Sequence, residues 1–210
     1  MISLWRRIYR RETKRVGVLS LAQGCGTTHL SIAIANYYAS KERKSVLYLE
    51  CARDREVGEG TPRDGIITLR SARTVDRKGI CGFERDGVCY LPQITQEDVR
   101  RLLAEKDDVI LAEVPEWTGD SCLRRGIFDQ SILMLSAKPW KYPAVKERMK
   151  HIAALDNGIA QGDCVCFGLT KAEDRMLAAD FNVHCEEIPM IRDPFCLSKE
   201  DIRFLKRLLE

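Results

Sequence analysis

Six consecutive residues, Gly24-Cys25-Gly26-Thr27-Thr28-His29, are the part of this chain best suited to chemistry. They follow an apolar run at 16–22. They lead into a segment at 29–40 in which Leu30, Ala33, Ile34 and Tyr37 share one helical side. Glycines at a strand-to-helix junction let the backbone curl until successive N–H groups point into one concavity, and the helix start adds a partial positive charge. A phosphate group fits there. Glycines at such junctions also serve as plain turn formers, and Gly24-x-Gly26 alone does not separate the two uses.

A second constellation is Cys164-Val165-Cys166, whose spacing puts both thiols on one face of an apolar strand. It suits a metal site or, as buried cysteines usually do, simple apolar packing. The chain has nine cysteines, an odd number, with no C-x-x-C pair and no secretory signal. Reduced thiols in a cytoplasmic protein are expected, not a disulfide framework.

The elements that position these groups follow from periodicity. Strands are predicted at 16–22, 45–50, 108–114, 130–136, 163–169 and 183–187, with a short one at 65–69 in the charged stretch 53–86. Asp86-Gly87 between apolar runs at 80–83 and 88–91 predicts a hairpin. Helices are predicted at 29–40, from a Thr95 cap to 106, at 142–155, at 172–179 and behind a Ser198 cap to 209. Strands alternating with helices imply an α/β fold, a mostly parallel twisted sheet with helices on both faces. One domain at 16–210 behind a basic arm at 1–15 accounts for the whole chain.

More than the glycines match a known pattern. The loop resembles that of the MinD/ParA-like deviant Walker A P-loop ATPases, which read K-G-G-x-G-K-T-T. The aligned residues here are Ala22-Gln23-Gly24-Cys25-Gly26-Thr27-Thr28-His29, followed by LSIAIANYYAS. "VLYLECARD" takes the place of the family's V-L-L-I-D-x-D strand, and "DDVILAEVP" resembles its Walker B strand. "GVCYLPQITQEDVRRLL" resembles the TadZ/CpaE branch, and "NVHCEEIPMIRDP" the closing I-P-x-D segment. The resemblance spans about 15–196 and implies a P-loop NTPase fold that binds ATP or ADP with Mg²⁺. Gly24 to His29 would hold the nucleotide, with Thr28, Glu113 and Glu50 around the metal.

The departures decide what else it implies. Thr27 stands where the family has its Walker lysine and Ala22 where it has its signature lysine, and neither side chain carries a charge to the phosphates. Glu50 and Ala52 replace the D-x-D pair, and Glu113 the Walker B aspartate. Phosphoryl transfer depends on such positioned charge, and loss of a single fixed donor costs on the order of 10²–10³ in rate. No catalytic residue is assigned. The chain reads as a degenerate member, a pseudo-ATPase whose backbone N–H groups leave weak nucleotide binding open. Its expected role is localisation or assembly for a pilus or secretion machine, through protein partners. The alternatives are a slow Mg²⁺-dependent ATPase using Thr28, Glu50 and Glu113, and a DNA-partitioning protein. His29 is either a partial cation or a first-turn packing residue. Arg53 and Arg55 either contact phosphate or belong to a solvated loop.

A net charge of +3 does not point to nucleic acid. No apolar run approaches the ~20 residues of a membrane span. Residues 1–15 carry six Arg/Lys and one Glu, with Ile2, Trp5, Ile8 and Tyr9 on roughly one helical face. That arm suits an anionic membrane surface, which would make the protein peripheral at the inner face, or packs on its own domain. Ile202, Leu205 and Leu209 form a stripe expected to dock on the sheet. Without the lysine that bridges the family's dimers, a monomer or weak homodimer is expected.

Overall fold

A computed structural model describes residues 13–52, 73–115, 127–155 and 163–210. Among them the strands are β1 (Lys14–Ser20), β2 (Val46–Cys51), β3 (Arg73–Arg77), β4 (Ile80–Arg85), β5 (Val88–Ile94), β6 (Val109–Val114), β7 (Gln130–Met134), β8 (Asp163–Phe167) and β9 (Glu186–Ile188). The helices are α1 (Thr27–Ser40), α2 (Gln96–Leu102), α3 (Tyr142–Leu155), α4 (Lys171–Phe181) and α5 (Lys199–Leu209). All nine strands join one sheet in the order β3-β4-β5-β2-β6-β1-β7-β8-β9. From β5 to β9 every pairing is parallel, and β4 and β3 add antiparallel strands at one edge. The α/β architecture expected from the alternation is the one observed.

Central strands read as unbroken apolar runs because both of their faces are covered. β6 is buried at every position, and Val109, Ile110, Leu111 and Ala112 have no exposed surface. α1 packs on β6, β1 and β2 and touches α5. α5 buries Phe204, Leu205, Leu208 and Leu209 while Ile202 of the expected stripe stays half-buried, and Lys14 Nζ of β1 donates to the Leu209 carbonyl at 2.7 Å. No helix among the described residues is long and apolar enough to cross a membrane.

Several boundaries differ from the expected ones, each for a local reason. β1 opens at Lys14, so the last two basic residues of the arm are built into the sheet: Lys14 and Arg15 pair with Val109 and Ile110. The Asp86-Gly87 hairpin forms, with φ of 52° and 83° as a tight two-residue turn requires. A second turn of the same kind, Lys78-Gly79 at 56° and 82°, folds β3 onto β4 where an irregular stretch was expected. α2 stops at Leu102, ahead of the expected 106, as Glu105 and Asp107 turn to meet Lys78 and Arg77 of that hairpin. β8 ends at Phe167 because Gly168 is left-handed, at φ 59°. The strand expected at 65–69 and most of the arm at 1–15 lie outside the described residues.

Topology places the loop after β1. In strand order β1 leads to β2 toward one edge of the sheet, and β6 leads to β7 toward the other. Adjacent strands whose connections diverge leave a crevice at their carboxyl ends, where ligands of open α/β sheets bind.

Candidate functional site

The crevice is built from the loop upward. Gly24 and Gly26 hold φ of 70° and 88°, a region that side chains disfavour. Gly26 is also the N-cap of α1, and a Cβ there would lie 2.5 Å from the Phe167 ring. Both facts demand glycine. No side chain caps α1, and its first turn carries no acid, so its leading N–H groups face the loop. A cavity of about 290 Å³ opens there, near the lower end of ligand sites and large enough for a polyphosphate. Gly24, Gly26, Thr27, Thr28 and His29 line it from the loop side, with Glu113 of β6 and Pro115 just beyond that strand.

Sequence candidates separate in space. Thr28 and Glu113 meet: Thr28 Oγ1 donates to Glu113 Oε1 at 2.5 Å. Thr27, at the lysine position, is buried at 7% exposure and offers the cavity only a hydroxyl. Cys25 turns away from the lining; its thiol is buried, and that burial raises its pKa. Glu50 stands in register with Glu113 on the neighbouring strand but outside the lining. His29 is engaged elsewhere: its Nε2 lies 2.7 Å from the Ile191 carbonyl, and its ring meets Phe167 edge-on at 6.2 Å. A carbonyl only accepts, so that nitrogen carries the proton, and His29 ties α1 to the segment after β9. Arg53 and Arg55 lie outside the described residues. Cys164 and Cys166 are both buried in β8, and no group of three metal-ligating side chains occurs among the described residues.

Three residues were not read from the sequence. Tyr48 on β2, 1% exposed, donates its hydroxyl to Glu113 Oε2. Burial, followed by the Glu113 charge, pushes the Tyr48 hydroxyl well above its ordinary pKa. Its ring lies 5.2 Å from that of Tyr90, whose own hydroxyl accepts from Asn36 at 3.2 Å. The available signal was a tyrosine two residues before Glu50 in an otherwise apolar strand, since a buried phenol needs a polar partner. Lys141 and Arg148, from the segment after β7, donate to the loop carbonyls of Gly24 and Leu21. Their signal was only position: segments after the strands of a parallel sheet gather at the carboxyl edge.

What the arrangement offers is a cavity at an uncapped helix start and a glycine loop, with the buried Glu113 carboxylate at its side. Glu113 reaches Thr28 directly because glutamate is longer than aspartate, and Tyr48 holds its second oxygen. The N–H groups and glycines fit phosphate. Thr28 and Glu113 fit the shell of a hard divalent cation, which favours oxygen ligands.

No protein-family model matches the chain, and no curated protein does. Solved structures do. MinD in the MinC:MinD cell division complex of Aquifex aeolicus superposes with a TM-score of 0.60 at 14% identity, over 94% of this chain and 96% of that one. A plasmid partition protein of Borrelia burgdorferi bound to AMPPNP gives 0.58 at 13%, over 94% and 97%. MinD of Pyrococcus horikoshii with Mg-ADP gives 0.52 at 14%, over 88% and 85%. At these identities the likeness is one of fold: the chain has the MinD/ParA P-loop NTPase fold.

Proposed function

We propose that the protein is a MinD/ParA-like domain that binds ATP or ADP with Mg²⁺ weakly, does not hydrolyse it, and acts through protein partners as a localisation or assembly factor. The carrying observation is the state of the cleft. Its glycine loop and uncapped helix start suit a phosphate, its loop supplies no lysine, and Glu113, the lining carboxylate among the described residues, is held by Thr28 and Tyr48. The cradle favours a polyphosphate, whereas phosphoryl transfer relies on positioned charge that Thr27, Ala22 and Ala52 do not carry at their places in the family's pattern. Solved relatives in fold carry AMPPNP or Mg-ADP, and one is seen with MinC. Those observations support a nucleotide and a protein partner for this chain by analogy. A TadZ/CpaE-like role at a pilus or secretion machine, with residues 1–15 on an anionic membrane at the cytoplasmic face, completes the reading.

Calorimetric titration of Mg-ATP, Mg-ADP and Mg-GTP tests the binding, with Thr28→Ala and Gly26→Arg as loop variants checked for folding by circular dichroism. Heat from the wild type that falls in both variants supports the proposal. A folded wild type silent toward all three nucleotides overturns it. One observation favours a second reading: Thr28 and Glu113 meet, and two such oxygen ligands suit the Mg²⁺ that a slow ATPase would require. Under that reading turnover depends on Mg²⁺ and is lost in Glu113→Gln.

A further inference from the structure

The loop has lost its own cations, yet a cation sits on it. Lys141 Nζ donates to the Gly24 carbonyl and lies 3.2 Å from where a Gly24 Cβ would be. Gly24 lines the cleft, so the ammonium rests on its rim. Among the described residues no carboxylate pairs with Lys141, whereas its neighbours Lys138 and Lys146 pair with Glu173 and Asp180. Its surroundings are open: Trp140 beside it is 76% exposed.

Position makes this lysine conspicuous. Its carbonyl accepts from Val145 N at 3.1 Å, the first bond of α3, so Lys141 is that helix's N-cap. Lysine is a poor choice there. It has no oxygen to cap with, and its charge opposes the helix dipole. A residue that breaks a local rule without a local gain is the kind found at functional sites. Arg148, two turns along α3, reaches the Leu21 carbonyl at 2.6 Å, so α3 turns two cations toward the strand-to-helix loop. Both charges are felt there, since each lowers the Cys25 thiol pKa against the larger upward push of burial.

We infer that Lys141, delivered by α3, is the phosphate-binding cation of this loop, in place of the lysines absent at Ala22 and Thr27. The inference rests on the nucleotide-binding reading and names the residue that makes it work. A lysine chain of four methylenes lets the ammonium leave the Gly24 carbonyl for a phosphate oxygen without moving the backbone.

The test is calorimetric titration of inorganic triphosphate and of Mg-ATP into the full chain, its Lys141→Ala and Lys141→Arg variants, and Lys150→Ala as a control for net charge on the same helix. Thermal melting of each variant without ligand checks the fold. Lys141→Ala is expected to weaken triphosphate about tenfold or more, as loss of a charge-assisted contact does. Lys141→Arg stays within about threefold of the wild type and Lys150→Ala within about twofold, both retaining the charge beside the loop. The slope of log affinity against log salt becomes shallower in Lys141→Ala alone. A folded Lys141→Ala that binds like the wild type overturns the inference and leaves nucleotide binding standing. An equal loss in Lys150→Ala also overturns it, since net charge then suffices. A wild type that binds neither ligand overturns the inference together with the reading beneath it.

Discussion

Replacing Tyr48 by phenylalanine removes one oxygen from the centre of the sheet and tests how the cleft carboxylate is held. Tyr48 is 1% exposed and Glu113 is 3% exposed, so water does not replace the lost donor. A hydrogen bond to a charged group is worth about 1.5–3 kcal/mol, which sets the expected cost of Tyr48→Phe. For a chain of this size each kcal/mol lowers the melting temperature by about 2–4 °C, so a fall of about 3–12 °C is expected. Glu113→Gln keeps an oxygen that accepts from Tyr48 and removes a buried charge, and costs about 1 kcal/mol or less. In the Glu113→Gln background the tyrosine hydroxyl meets a neutral acceptor, and its removal costs about 0.5–1.5 kcal/mol. The double-mutant cycle therefore yields a coupling of about 1 kcal/mol, within the range for groups in contact. Urea denaturation of the four proteins at pH 8 measures it. Strictly additive effects, or a Tyr48→Phe variant as stable as the wild type, would refute the Tyr48–Glu113 contact.

Other outcomes follow from the same structure. Gly26→Ala combines a strained φ of 88° with a Cβ 2.5 Å from Phe167, and should cost about 2–4 kcal/mol in denaturant titration. Adding Phe167→Leu to Gly26→Ala should recover part of that loss. Stability should fall above pH 10, because the Tyr90 hydroxyl is pushed up to about 12, first by burial, while its unfolded value is 10.0. The folded state then holds a proton that the unfolded state has lost, so the contribution is full below pH 10 and declines until about pH 12. The decline from this residue is about 1.4 kcal/mol per pH unit, and Tyr90→Phe should flatten the alkaline slope by that amount. Ser198→Ala breaks a capping box with Asp201 at the head of α5 and should cost about 1 kcal/mol by thermal melting.

The sheet was legible because buried parallel strands leave continuous apolar runs, and "VILAEV" reads as a strand covered on both faces without further information. Turn chemistry was legible in part. Asp86-Gly87 has the residues such a turn favours, whereas Lys78-Gly79 does the same work with a lysine at φ 56°, a choice outside the usual set. At the candidate site, the glycines were picked out by type and spacing, Thr28 and Glu113 by the resemblance of their order to the P-loop pattern, and they line one cavity. The partners of those residues were not legible. Tyr48 meets Glu113 across neighbouring strands, and Lys141 meets Gly24 across 117 residues of chain. Such meetings are fixed by strand order, β2 beside β6 and β7 beside β1, which no local pattern records. His29, read as either a partial cation or a first-turn packing residue, lines the cavity while its Nε2 joins α1 to the Ile191 carbonyl, a partner no local pattern records.

The central claim, binding without turnover, is tested most directly by equilibrium dialysis against Mg-ATP followed by chromatography of the retained nucleotide. ATP should be retained above the level of a Thr28→Ala control and recovered intact. Recovery as ADP would contradict the claim by revealing hydrolysis, and retention no greater than in the control would contradict it by denying the loop its ligand.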